Sequence, residues 1–347
     1  MNALFVLTLG TCLTLLLRWG FKTLPQEQWQ IMATVPRRKQ GWGLWVGANL
    51  TYYGLITACA GVLAMIIFLL LMASASVPVR SSLPILGVVF LLCLPATRLV
   101  ARVVEGKQHT SSIAGAVFVG LLVAPLVVAA IDACGVDGTT APMAPTLAAM
   151  TVAYVIGEGL CRLACISFGC CYGKPITDVG PLARRLFQRF HFAFYGETKK
   201  IAYASGMEGI KVVPIQALTA ALYLAVGLAG MLLFLESFYR GTYALTILVS
   251  QGWRVYSETL RADHRGGGRM TMYQKMSLFG IGYAVVVLSV LPAAADRTPD
   301  LALGLAALWD PVVIVFLQAI WAVMFVVTGW SMVTGSVLTF HVHRDRI

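Results

Sequence analysis

Apolar residues along this chain come in runs of about twenty, separated by short polar stretches, rather than in strict alternation. Runs of that length match a hydrocarbon layer about 30 Å thick at the helical rise per residue. Inside hydrocarbon, a helix satisfies its own backbone without needing a closed barrel. The pattern predicts nine spans, at 2–18, 46–73, 83–103, 112–132, 144–167, 213–236, 242–260, 275–294 and 308–336. The first has no basic leading region and no small-residue cleavage site, so it reads as a retained anchor rather than a signal peptide. Between Trp19 and Trp45, Trp19, Phe21, Trp29 and Trp42 interleave with Lys22, Arg37, Arg38 and Lys39, a mixture suited to the headgroup layer. The one long loop, 168–212, is charged and aromatic and is expected to form a small lid or head on the membrane surface. No internal repeat or low-complexity tract interrupts this order.

Composition strengthens the reading. Of 347 residues, 59% are hydrophobic and only 12% charged, with a mean hydropathy of +0.80. Soluble domains carry about 25% charged residues. A soluble enzyme, a disordered chain and a disulfide scaffold are excluded. The net charge of +11 would suggest nucleic acid in a soluble protein; here basic residues mark loops on one face, and no nucleic-acid partner is expected. Of 26 Lys and Arg, three (Arg98, Arg162, Arg254) fall in the interior of spans, away from their ends, and three (Arg80, Arg240, Arg297) lie in loops on one side. The remaining 20 share the opposite side with the long loop and the C-terminus. By the positive-inside rule that side is cytoplasmic, with the N-terminus outside.

Ionisable groups inside spans are costly and point to function. Glu158 and Arg162 stand four apart on one helix face, and Arg254 and Glu258 repeat the spacing, with Arg261 three residues on. Two ion pairs that fix helix packing are one reading. The sharper one is an anionic headgroup held between the two helices, because three guanidiniums outnumber two carboxylates and guanidinium binds phosphate through two parallel contacts.

Four of the eight cysteines, Cys161, Cys165, Cys170 and Cys171, crowd into eleven residues. A four-thiolate zinc site is conceivable, but the adjacency of Cys170 and Cys171 and the lack of a CxxC pair argue against it. Close packing where a helix ends at Gly169 and Gly173, a catalytic thiol at Cys165, Cys170 or Cys171, and a vicinal disulfide remain open. No metal or soluble cofactor is implied.

Over about 46–294 the chain resembles the prolipoprotein diacylglyceryl transferases, membrane enzymes that move diacylglycerol from phosphatidylglycerol to a lipoprotein cysteine. Tyr52-Tyr53-Gly54-Leu55 resembles that family's aromatic-Tyr-Gly-Leu, whose functional tyrosine matches Tyr53. Cys161-Arg162-Leu163-Ala164 through Gly169-Cys170-Cys171-Tyr172-Gly173 resembles its Gly-Arg-Ile-Gly-Asn…Gly-Glu-aromatic-Gly signature, placing the essential arginine on Arg162 and the glycine on Gly173. Val213-Pro214-Ile215-Gln216 resembles His-Pro-Ser/Thr-Gln, and Trp253-Arg254 with Glu258 and Arg261 resembles aromatic-Arg-x3-Glu-x2-Arg. Thr271 to Leu278, with Gln274, resembles the Ser-x-x-Gln start of the last shared span. The family's asparagine and glutamate fall on Cys165 and Cys170, its two histidines on Val213 and near Ile113, and its Tyr-Glu on Leu218 and Thr219.

The resemblance implies an all-α polytopic membrane protein, about nine helices around a lateral, lipid-accessible cleft. It divides the chain into an N-terminal addition (1–45), a seven-span core (46–294) and a C-terminal span with a basic tail (295–347). It implies a transferase of the bacterial plasma membrane in lipoprotein biosynthesis, with phosphatidylglycerol as donor and an acceptor thiol. Arg162, Arg254, Glu258, Tyr53 and His109 are the expected catalytic residues, His109 standing in for the histidine lost near Ile113. Arg162, Arg254, Arg261, Gln216 and Gly173 would bind the headgroup. A phospholipid-binding protein of the same fold without catalysis is the alternative, and a cytoplasmic-facing site would exclude exported acceptors.

Overall fold

The structure is a computed structural model that describes every residue except 29, 107–111, 135–141, 264, 266–268 and 292–297. It is mostly helical, and among the described residues eight helices are long and apolar enough to cross a membrane. In chain order they are α1 (Asn2–Thr23), α2 (Tyr52–Ser74), α3 (Val79–Glu105), α4 (Ile113–Cys134), α5 (Met143–Phe168), α8 (Ile215–Leu235), α10 (Met272–Val290) and α12 (Pro311–Gly329). The remaining expected span is α9 (Tyr239–Ser257), a helix of 19 residues made more polar by Arg240, Arg254 and its Thr, Ser and Gln positions. Three short helices complete the set: α6 (Pro181–Phe187) and α7 (Lys200–Ser205) in the long loop, and α11 (Leu301–Ala307).

Helix α5 is the axis of the molecule and is buried along nearly its whole length. It packs against α2, α8 and α9, while α12 flanks α2, α10 flanks α9, and α3 pairs with α4. Its Gly157 and Gly159 let Ala64 of α2 and Tyr223 of α8 approach closely, as small residues do where membrane helices pack.

The all-helical expectation needs one correction. Strands β1 (Ile31–Lys39), β2 (Leu44–Thr51) and β3 (Trp330–Thr339) form an antiparallel sheet in the order β1-β2-β3. Residues 46–51 and 330–336, expected as the ends of spans, are therefore strands. The cause is visible in the alternation of side chains: Gly47, Asn49 and Thr51 point inward on β2 while their neighbours are half-buried. Such a period of two cannot present one continuous apolar helix face. Asn49, fully buried, accepts from Thr34 (2.9 Å) and Ser336 (2.7 Å) and donates to Thr334 (3.3 Å), so it joins all three strands. The sheet ties the N-terminal segment to the C-terminal one.

Gly54, the first-turn glycine of α2, lies directly against Gly329 at the end of α12, and Thr51 donates to the Gly329 carbonyl at 3.0 Å. A Cβ at position 54 would overlap the Gly329 backbone. Gly54→Val is expected to part α2 from α12 and lower stability by about 1–3 kcal/mol, read as an earlier thermal unfolding midpoint in detergent. A Gly87→Val control, where a Cβ meets open space, should shift it far less.

The loop 168–212 is closed on itself by bridges Pro175↔Val212 and Phe192↔Val212. Its anchor is Lys199, fully buried, whose Nζ donates to the Leu24 and Ser167 carbonyls at 2.9 Å each. Burial pushes its pKa down to about 8, against a small opposing pull from Glu27. Between that value and the ordinary 10.5 the unfolded chain holds a proton the folded one has released, so stability rises with pH across this window, by about 3 kcal/mol in all. Thermal unfolding followed between those pH values should show this rise in the parent protein and a flatter profile in Lys199→Met.

Candidate functional site

The site begins where α5 ends. Gly169 takes a left-handed conformation (φ 67°), and the Cys170 amide donates back to the Cys165 carbonyl at 3.0 Å, a helix stop of the kind glycine permits. Two and three turns earlier, Arg162 and Glu158 share a face turned toward α9. The Glu158 carboxylate, nearly buried, pairs with Arg162 through one oxygen and with Arg254 of α9 through the other, at 2.6 Å. Tyr154, one turn below Glu158, takes longer contacts from Arg254 and Gln251 at 3.4 Å.

The Arg254–Glu258 ion pair, one of the two readings of that spacing, is not formed. Helix α9 stops at Ser257 and Glu258 opens a 3-10 turn, which rotates it off the shared helical face. Glu258 instead lies 3.6 Å from Arg261 and 3.7 Å from Arg265. Asp263 receives Arg261 through two contacts of 2.8 Å and Arg265 at 3.3 Å. Burial works to raise the Asp263 pKa, but the two guanidiniums hold it below its ordinary value. Arg265 also stacks over Tyr273 at 4.7 Å, and the Tyr273 hydroxyl donates to Glu105 at 2.8 Å.

Backbone pairing fixes Arg261 beside the α5 terminus. Gly173 bridges Arg261, with the Lys174 amide donating to Leu260 at 2.9 Å and the Ala262 amide to Tyr172 at 3.1 Å. Val213 presses on Gly173 from behind, and a Cβ there would strike the Val213 carbonyl. Only glycine lets these segments meet.

Three thiols complete the floor. The Sγ atoms of Cys165, Cys170 and Cys171 all lie within 4.8 Å of one another, and all three are free. Their convergence, which the adjacency of 170 and 171 argued against, follows from the backbone: Cys171 adopts φ 56°, a conformation uncommon for residues other than glycine, and this turns its sulfur back toward the helix end. The thiols of Cys165 and Cys170 donate toward Cys171 and, with Arg261 and Arg265 nearby, hold its pKa well below the ordinary value. The Cys165 contact works to lower the Cys170 pKa, but the contact with Cys171 and burial outweigh it and push Cys170 up.

These groups surround one cavity of about 80 Å³. Tyr53, Arg162, Arg254, Glu258, Arg261, Gln216, Cys165, Cys170 and Cys171, all singled out from sequence, line it. Gly173 adjoins it, and His109 lies outside the described residues. Tyr53 packs on Phe168 with ring centroids 5.5 Å apart. Gln216 donates to the Cys170 carbonyl at 2.8 Å, while its Oε1 and the Nε of Arg162 are buried without a partner among the described residues. Buried polar atoms left this way cost free energy unless a ligand or water meets them. Trp253 forms another wall, its Nε1 donating to Thr219 at 2.9 Å.

Sequence reasoning passed over Arg265, Asp263 and Lys200, which also line the cavity. The alternation of charge in Arg261-Ala262-Asp263-His264-Arg265 directly after the arginine signature was the available signal. The Thr271 and Gln274 pair is a reciprocal helix cap at the start of α10, and Gln274 Nε2 also donates to the Val255 carbonyl at 3.0 Å.

No protein-family model matches this chain, and no curated protein matches it.

Proposed function

We propose that this protein is a membrane-embedded transferase that moves a diacylglyceryl group from phosphatidylglycerol to an acceptor thiol. In this reading α9 is a ninth span, the cavity opens sideways to lipid, and the protein resides in a bacterial plasma membrane. The observation that carries it is the convergence of Arg162, Arg254, Arg261 and Arg265 on one cavity at the helix ends, with the Arg162 Nε left free to donate.

The chemistry follows from charge. A bound phosphatidylglycerol carries one negative charge on its phosphodiester. When the acceptor sulfur attacks the glyceryl carbon, the C–S bond forms, the C–O bond to phosphate breaks, and glycerol phosphate leaves with a second negative charge. Fixed guanidiniums in a water-poor cavity stabilise that added charge more than the ground state, which lowers the barrier. Tyr53 and Gln216 supply neutral hydrogen-bonding groups on the same wall.

A phospholipid-binding role without catalysis is the second reading. It is favoured by the carboxylates: Glu158, Glu258 and Asp263 are each engaged by arginine, which leaves none of them free as a base. Vesicles of phosphatidylglycerol, the purified protein and a cysteine peptide separate the two. Release of glycerol phosphate in step with loss of free thiol is expected; phosphatidylglycerol retained on the protein with no release would establish the binding role.

A further inference from the structure

The cavity holds a nucleophile problem that its described side chains do not solve. No histidine lines it among the described residues. Glu105 accepts from Tyr273, and the other carboxylates face arginines. Among the described residues, a thiol arriving there finds no free base.

From the sulfur geometry we infer that Cys165, Cys170 and Cys171 form a three-thiolate site for a thiophilic divalent cation of the zinc class, with its fourth position open to the cavity and taken by the acceptor thiol. A tetrahedral ion with Zn–S bonds near 2.3 Å holds its sulfurs about 3.8 Å apart. The three sulfurs, already within 4.8 Å, reach that spacing by shifts of about 1 Å, within ordinary side-chain rotation. Three protein ligands and one open position is the arrangement of catalytic rather than structural zinc. Charge agrees: the ion and three thiolates sum to a single negative charge, beside Arg265, whose Nη2 lies 3.7 Å from the Cys171 sulfur, in a cavity that Arg261 and Lys200 also line.

The metal then replaces the missing base. On binding, the acceptor thiol loses its proton to water, and the metal-held sulfur keeps the lone pair that attacks the glyceryl carbon. The C–O bond breaks and glycerol phosphate departs with its electron pair. The metal is neither oxidised nor reduced. This role rests on the transferase reading, whereas the cation site rests on the sulfurs alone.

The test uses the reduced full-length protein in detergent, with Cd(II) as the first probe and Co(II) as the second. One equivalent of Cd(II) should bind with sulfur-to-metal charge-transfer absorption, and that absorption should be lost in Cys170→Ser and in Cys171→Ser but kept in Cys93→Ser, whose sulfur lies on α3. Unchanged elution and an unchanged thermal unfolding midpoint in detergent show that the serine variants are folded. An absorption band absent from the parent protein, or retained in Cys171→Ser, would overturn the cation site. Adding a short alkanethiol should shift the visible Co(II) spectrum; metal binding without that shift overturns the acceptor role alone. A failed transfer assay beside intact Cd(II) and thiol binding would count against the transferase reading and leave the cation site standing.

Discussion

Arg162→Ala is expected to slow transfer from phosphatidylglycerol by about 10²–10³-fold, the loss seen when one fixed donor to a developing oxyanion is removed. The size follows from position. Arg162 is held by Glu158 on one side and presents a buried, unpartnered Nε, so the donor is aimed before substrate arrives and nothing must reorganise during the reaction. Arg162→Lys keeps the charge but loses the planar fork, and should recover only part of the rate. Initial rates with a cysteine peptide acceptor measure both variants. The accompanying measurement is phosphatidylglycerol retention. Lost product with retained lipid places Arg162 in catalysis, and lost lipid retention places it in binding.

Glu158→Ala has the larger expected effect on stability. Its carboxylate is the single anion between two buried guanidiniums from α5 and α9. Removing one partner of a buried ion pair leaves charge uncompensated and costs about 3–5 kcal/mol; here two arginines are released at once. The variant should unfold at markedly lower temperature in detergent, with α9 the first element to open in hydrogen exchange. Glu158→Asp, one methylene shorter, cannot reach both arginines equally and should fall between parent and alanine variant. An alanine variant as stable as the parent would mean that the two arginines are satisfied by lipid or water rather than by Glu158.

Helices were legible because hydrocarbon imposes a length: each long apolar run became a helix, and the errors fell at the ends. The strands at 44–51 and 330–339 were absorbed into neighbouring runs because Leu, Trp and Val count as apolar in a sliding reading, while their period of two extends over too few residues to stand out. β3 is also paired with a segment nearly 300 residues away, as in Trp45↔Leu338, which no local signal reports. Arg162 and Arg254 were found because charge inside a span is rare. Their partners were not all found: spacing pairs Arg254 with Glu258 only if the helix continues, and it ends between them. The convergence of Cys165, Cys170 and Cys171 was hidden for a related reason, since it depends on Cys171 in a left-handed conformation that its residue type does not announce.

The decisive measurement is the mass of a cysteine peptide incubated with the protein and phosphatidylglycerol labelled in its diacylglyceryl portion. The peptide should gain one intact labelled diacylglyceryl group on sulfur, at a rate that collapses in Arg162→Ala and Arg254→Ala. Phosphatidylglycerol held at the arginines with no mass gain, or glycerol phosphate released while the peptide stays unmodified, would contradict the transferase reading.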